Sequence, residues 1–254
     1  DKWLACLPLS HVGGFSVIVR ALHSEVDLEV HNGFEASRVT EAARNGATLV
    51  SLVPTAMSRI DVQLFRKVLV GGSAVPTARP PNVVATYGMT ETGSGVVYDR
   101  RPLDGVELRI DQGEIQLRCP MLLRCYRDGS DPTTNDGWFP TGDGGSLDSD
   151  GLLTVHGRTG DMIITGGENV WPVAVERVLE EAPGVAECAI VGRPDVEWGQ
   201  IVTAVVVPST EPPTIEGLRE HVKALLPAYC APRSLEVIDQ LPRTALGKLQ
   251  RHLL

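Results

Sequence analysis

A chain of 254 residues, 43% of them hydrophobic, has room for one large domain or two smaller ones with real cores. The net charge of -9 argues against a nucleic-acid backbone as partner, since that binding relies on clustered Lys and Arg that release counterions. The five cysteines (Cys6, Cys119, Cys125, Cys188 and Cys230) are scattered and lack CxxC or Cys/His ligand spacing. Neither a disulfide framework nor a zinc site is indicated, and no apolar run is long enough to span a membrane. A soluble, cytoplasmic protein is expected.

The chain opens at Asp1-Lys2-Trp3, without Met, and enters a strand-like segment at once; this reads as a cut, with sequence lacking upstream. Apolar strand-like runs then alternate with helical patterns: a helix at 15–22, another at 36–45, a strand at 48–53 and one at 67–70 before Gly71-Gly72. That β-α-β punctuation predicts a largely parallel sheet. From about residue 105 the texture changes to short alternating strands at 106–110 and 114–118, followed by Gly/Asp-rich turns to residue 151, which predicts a small antiparallel, β-barrel-like unit. Past residue 160 comes an α+β pattern: a helix at 172–181, strands near 186–191 and 202–207, a helix near 215–226 and a terminal glycine-lysine loop. The fold class is therefore α/β, with a mixed-sheet N-terminal region and a smaller α+β C-terminal domain.

Four motifs carry chemistry. Tyr87-Gly88-Met89-Thr90-Glu91-Thr92 follows a strand-like run and precedes Gly93-Ser94-Gly95. Tyr87 offers a stacking face, Gly88 a close backbone approach, Thr90 and Thr92 hydroxyls for phosphate oxygens, and Glu91 a ligand for a divalent cation. A polar strand-to-loop turn would explain the same residues. In Gly137-Trp138-Phe139-Pro140-Thr141-Gly142-Asp143, the carboxylate behind a glycine suits two vicinal hydroxyls, although an Asx-turn stabiliser has the same look. Gly157-Arg158-Thr159-Gly160-Asp161-Met162-Ile163-Ile164-Thr165-Gly166-Gly167-Glu168-Asn169 joins the two differently textured regions. Leu241-Pro242-Arg243-Thr244-Ala245-Leu246-Gly247-Lys248 places one lysine on a loop near the end. Arg158 as an ordinary ion-pair partner and Lys248 as a solvated charge are the plainer alternatives, but the order and spacing of all four motifs speak against coincidence.

In that order the motifs resemble those of the adenylate-forming enzymes, which comprise acyl-CoA synthetases, nonribosomal adenylation domains and luciferases, and the resemblance covers essentially the whole chain. It implies an N-terminal AMP-binding domain over 1–157, a hinge at 158–161 and a C-terminal domain over 162–254. It also implies a two-step reaction with ATP, Mg²⁺ and coenzyme A as cofactors and a small-molecule carboxylic acid as substrate. Tyr87 and Gly88 would meet adenine, with Gly71, Gly72 and Ser73 along its edge; Thr90 would bond the α-phosphate and Glu91 hold Mg²⁺. Asp143 and Arg158 would grip the ribose side, and Lys248 would bridge the carboxylate and α-phosphate oxygens in the first step only. Gly166 and Gly167 would line the thiol tunnel in the second, with Trp198 packed against the CoA nucleotide or serving as a surface packing residue. Two departures stand out: the hinge position two after Arg158, often Asp or Lys in the family, is Gly160, and the family's Ser/Thr/Gly-rich phosphate loop, expected upstream of Trp3, is not in these 254 residues.

The acid is suggested by His11-Val12-Gly13-Gly14-Phe15-Ser16-Val17-Ile18-Val19-Arg20, which resembles the corresponding segment of the o-succinylbenzoate–CoA ligases of menaquinone biosynthesis. There an Arg at this spacing helps recognise the second carboxylate of a dicarboxylic substrate. Arg20 on an apolar helix is costly unless it snorkels or meets an anion, and snorkelling is the plainer alternative. His11 would gate the acyl pocket or simply close the strand-to-helix turn. A general aryl or fatty acyl-CoA synthetase and a non-catalytic nucleotide-binding relative are the competing functions, and a homodimer is the candidate assembly.

Overall fold

Strand β1 (Lys2–Ala5) divides between two faces: Leu4 enters one core with Cys6 just beyond the strand, and Trp3 and Ala5 enter another, as the two-residue period of a strand requires. The computed structural model describes residues 1–244 and 247–254 and divides into two compact units, Asp1–Thr141 with Leu147–Thr154, and Gly142–Ser146 with Val155–Leu254.

The first unit continues through α1 (Val12–His23), β2 (Asp27–Val30), α2 (Ala36–Arg44), β3 (Leu49–Leu52), α3 (Pro54–Met57), β4 (Lys67–Val70), β5 (Val83–Met89), β6 (Ser94–Tyr98) and β7 (Arg101–Pro102). These strands form one seven-stranded sheet in the order β2-β1-β3-β4-β5-β6-β7. The first five run parallel and the last two pairings are antiparallel. Helices cover both faces, as parallel strands demand. Val39 and Ala42 of α2 pack with Leu4, Val50, Leu52, Val68 and Val70 on one face, and Val17 and Ala21 of α1 pack with Trp3, Ala5 and Leu49 on the other. The opposite side of α1 is apolar too, with Phe15, Val19 and Leu22 exposed.

A second, four-stranded sheet has the order β11-β10-β9-β8, made by β8 (Glu107–Asp111), β9 (Glu114–Arg118), β10 (Phe139–Leu147) and β11 (Leu153–Arg158). Strands β8 and β11 are its edges, and among the described residues no sheet closes on itself. The boundary between the two units falls inside β10 and β11. Strand β10 replaces the Gly/Asp-rich turn expected here. Its glycines serve packing as much as turning: a Cβ at Gly144 would lie 2.1 Å from the Trp171 indole.

The second unit adds β12 (Ile163–Thr165), β13 (Glu168–Val170), α4 (Pro172–Leu179), β14 (Val185–Asp195), β15 (Gly199–Pro208), α5 (Ile215–Lys223) and β16 (Ser234–Val237). Its sheet order is β13-β12-β15-β14, with β16 paired parallel to β15. Both helices lie on one face, where Val175, Leu179, Leu218 and Val222 meet Ile163, Ile190, Val202, Ala204 and Val206. The other face carries Ala189, Val191 and Val205 under Leu241, Leu249 and Leu254 of the terminal segment. No helix among the described residues is long and apolar enough to cross a membrane.

Candidate active site

Parallel pairing of β4 with β5 sets Val70 beside Ala85, so Gly71 leaves the sheet next to Thr86, at the carboxyl ends of the parallel strands. Open α/β sheets bind ligands in that crevice. The approach is close: a Cβ on Gly71 would lie 2.3 Å from Thr86 Oγ1, whose hydroxyl donates to the Val70 carbonyl at 3.2 Å. Gly72 and Ser73 follow, both exposed.

Tyr87, Gly88 and Met89 are the last residues of β5 rather than a loop, and only Thr90–Thr92 form the turn. Antiparallel pairing aligns Tyr87 with Val97, Gly88 with Gly95 and Met89 with Ser94. Gly88 is required by the neighbouring strand, since a Cβ there would lie 2.2 Å from the Ser94 carbonyl oxygen and 2.6 Å from Gly95 Cα. The two threonines separate in role. Thr92 is buried and its hydroxyl accepts from the Met89 N–H (3.0 Å) and donates to the Ser94 carbonyl (2.7 Å), whereas Thr90 is exposed. Glu91 is tied by its backbone carbonyl to the Leu123 N–H (2.8 Å), and its Oε1 accepts from the Tyr126 hydroxyl at 3.2 Å. Partial desolvation, with the Glu91 charge beside it, raises the Tyr126 phenol.

Arg20 does not snorkel free. It donates to Ser16 Oγ (3.0 Å), Ser94 Oγ (2.6 Å) and Tyr98 Oη (2.9 Å), so its cation is bolted to the β6 strand that backs Tyr87 and Gly88. All three acceptors are neutral, and no carboxylate among the described residues forms an ion pair with it. His11 is the N-cap residue of α1; its backbone bonds to Pro8, Gly14 and Phe15 close the turn, while its exposed side chain makes no capping bond.

In the second unit, Asp143 of β10 and Arg158 at the end of β11 form an ion pair at 3.1 Å, with Asp143 buried and Arg158 exposed. Asp143 sits in a strand and not in the Asx turn that was the plainer alternative. Beside them, His156 stacks on Trp171 at 5.7 Å, and burial pushes the imidazole below its ordinary value.

Gly166 and Gly167, with φ of +58° and +86°, form the two-residue tip of the β12–β13 hairpin, the left-handed pair a type I′ turn needs. Trp198 lies against that tip: the Gly166 N–H donates to the Trp198 carbonyl (2.9 Å), and a Cβ on Gly166 would lie 2.6 Å from the indole. The Arg233 guanidinium covers the ring at 3.7 Å. Lys248 is exposed on the terminal loop, where its N–H donates to Thr244 Oγ1 (3.1 Å). Ala245 and Leu246 of that motif lie outside the described residues.

Three local groups thus emerge: Gly71, Tyr87, Gly88, Thr90 and Glu91 with Arg20; Asp143 with Arg158; and Gly166, Gly167 and Trp198. Ser94, Tyr98, Tyr126 and Arg233 join them, none of them singled out by the sequence. Ser94 stood beside a motif, but Tyr98 and Arg233 are recognisable only through pairings distant in the chain. The donor set suits Mg²⁺ carried in with a nucleotide. Glu91 offers one hard carboxylate beside the Thr90 hydroxyl, and among the described residues no group of three or more metal-ligating side chains forms a protein cage.

Residues 174–248 match the family model of the AMP-binding enzyme C-terminal domain. The chain is 38% identical to a probable 2-succinylbenzoate–CoA ligase of Mycobacterium tuberculosis over 98% of its own length and 73% of that protein's. It is 36% identical to the 2-succinylbenzoate–CoA ligase of Lactococcus lactis over 99% of its length, spanning 61% of that protein. Among solved structures, the o-succinylbenzoate–CoA synthetase (MenE) of Bacillus subtilis in complex with the acyl-adenylate intermediate OSB-AMP superposes with a TM-score of 0.88 at 30% identity. That match covers 99% of this chain and 60% of the other. The same synthetase has been solved with ATP and a magnesium ion, at a TM-score of 0.88 and 30% identity, over 100% of this chain and 61% of that one. By this likeness along nearly its whole length, the chain belongs to the 2-succinylbenzoate–CoA ligase family of adenylate-forming, AMP-binding enzymes.

Proposed function

We propose that the protein to which this chain belongs is a cytoplasmic, ATP-dependent acid–CoA ligase that converts o-succinylbenzoate to o-succinylbenzoyl-CoA. A carboxylate oxide is a poor leaving group. The acid oxygen therefore first attacks the α-phosphorus of ATP and expels pyrophosphate, and the CoA thiolate then attacks the acyl carbon and releases AMP. The first step gathers negative charge, so it needs preorganised cations and donors rather than a covalent nucleophile.

In this reading Tyr87, Gly88 and Gly71 to Ser73 hold the adenine, Thr90 donates to the α-phosphate, and Asp143 and Arg158 hold the ribose side. Lys248 places a point charge between the two reacting groups. Glu91 holds Mg²⁺, which would neutralise phosphate charge when bound. The turn at 158–161 is the hinge, with Gly160 free to absorb backbone rotation. Gly166, Gly167 and Trp198 form the thiol side, and His11 stands at the acyl pocket.

The observation that carries the choice of acid is Arg20. A guanidinium held by three neutral hydroxyls has no carboxylate partner among the described residues and a fixed direction, which suits the second carboxylate of a dicarboxylic acid. The test is Arg20→Met in the full-length protein, assayed with o-succinylbenzoate and with an aryl monocarboxylate of similar size. Loss of a charge-assisted pair of about 3 kcal/mol lowers kcat/KM about 100-fold for the dicarboxylate and leaves the monocarboxylate within about threefold. Equal losses on both acids, or none on either, would remove Arg20 from substrate recognition.

A further inference from the structure

Lys248 is presented on a loop gripped from both sides. On the near side the Thr244 N–H donates to the Lys248 carbonyl (2.8 Å), the Gln250 N–H donates to the Pro242 carbonyl (2.9 Å), and Arg243 pairs with Leu249 as an isolated bridge. Arg243 also donates to the Gly247 carbonyl (2.9 Å) and reaches Glu187 on β14, a pair in which both side chains are substantially exposed. The other grip lies three residues beyond the lysine and is of a different kind. Arg251 makes a two-pronged pair with Glu176 of α4, with Nη1 to Oε1 and Nη2 to Oε2 both at 2.7 Å. Glu176 is 9% exposed, and its Oε1 also accepts the Ile190 N–H at 2.7 Å. The remaining nitrogen of Arg251, Nε, lies 3.4 Å from Asp161 Oδ2, the last residue of the short helical turn Thr159–Asp161.

One guanidinium therefore spends its whole fork on a helix carboxylate and a turn carboxylate that are 15 residues apart in sequence, and holds both to the short helical turn Arg251–Leu253 that follows Lys248. A bidentate arginine pair fixes direction as well as distance, which a lysine or a single hydrogen bond does not. Leu249 and Leu254 pack against Ala189, Val191 and Val205 on either side of it, so the segment has an apolar seat and a polar latch. We propose that Arg251 is a positioning residue for adenylation: through Glu176 and Asp161 it makes the Lys248 loop and the hinge turn one rigid piece, so that rotation at the hinge delivers the lysine at a fixed place. The proposal rests on the assignment of Lys248 to the first half-reaction.

The two halves of the reaction separate this role from a merely structural one. Arg251→Lys and Glu176→Gln are made in the full-length protein, with Lys248→Ala as reference. The acid-dependent release of pyrophosphate from ATP is measured beside thioester formation from preformed o-succinylbenzoyl-AMP and CoA. Displacement of the lysine by about 1 Å lowers kcat for pyrophosphate release about 100-fold, with KM for ATP and the thioester step each within about threefold. A parallel fall in both halves, or no fall in the first, overturns the proposal. If Lys248→Ala itself leaves pyrophosphate release unchanged, the assignment of the lysine fails instead, and the two failures are told apart by that single control.

Discussion

Replacing Gly88 by alanine tests whether the proposed nucleotide motif is held by the strand behind it. The added Cβ would lie 2.2 Å from the Ser94 carbonyl oxygen and 2.6 Å from Gly95 Cα, both backbone atoms that no rotamer change can move aside. Relief to ordinary contact needs β5 and β6 to part by about 1 Å, and overpacking of this kind costs about 1–3 kcal/mol. At about 2 kcal/mol the midpoint of thermal unfolding falls by about 4–8 °C. The chemical effect is larger than the thermal one, because Ser94 is also the partner of Arg20 at 2.6 Å and of Thr92 at 2.7 Å. Parting the strands stretches both bonds and shifts Tyr87 and Glu91, so pyrophosphate release falls about 100-fold. Differential scanning fluorimetry and a pyrophosphate assay on Gly88→Ala measure the two effects. A variant with an unchanged midpoint and a rate within about twofold would refute the claim that Gly88 is a packing requirement of the site.

Two further outcomes are expected. Gly166→Ala drives a Cβ to 2.6 Å from the Trp198 indole at a φ of +58° that side chains rarely adopt; the thioester step falls about tenfold or more while adenylation stays within about threefold, and half-reaction assays measure the split. His156 gives a pH signature. Burial lowers its folded pKa below 6.5, so between that lowered value and 6.5 the unfolded chain binds more protons than the folded one. The stabilising contribution is full above about 6.5 and is lost as pH falls toward the folded value, by at most about 1.4 kcal/mol per pH unit for one proton. Urea unfolding of the wild type and of His156→Gln between pH 7.5 and 5.5 reads the difference, and identical pH slopes for the two proteins would dismiss it.

The parallel sheet was legible because its strands are short apolar runs between turn signals; 67–70 and 114–118 coincide with β4 and β9. Strand β2 was not: Asp27-Leu28-Glu29-Val30 is only four residues long, offers no continuous apolar run and has no buried position, although the Asn32-Gly33 turn signal follows it. Strand β10 was hidden by Pro140, Gly142, Gly144 and Gly145, residues that normally mark turns. The Trp171 indole, which occupies the space of a Cβ at Gly144, explains the glycine at that one position. The same limit applies to the site. The residues proposed to face the ligand lie in local motifs, but Arg20 finds Ser94 and Tyr98 more than seventy positions away, and Arg233, just before β16, covers Trp198, just before β15. Those partners depend on sheet order, which no local pattern carries.

The two-residue tip at Gly166-Gly167 constrains how this protein can vary in length. Pairing of Thr165 with Glu168 and of Ile163 with Val170 leaves one register for the hairpin, and Val170 enters the core while Asn169 stays exposed. Inserting or deleting one residue at the tip would exchange their faces, turning Asn169 inward and Val170 out to water. Indels should therefore be excluded from this turn and tolerated instead in connections such as residues 209–213, and the spacing between Arg158 and Trp171 is set by the core as much as by any ligand.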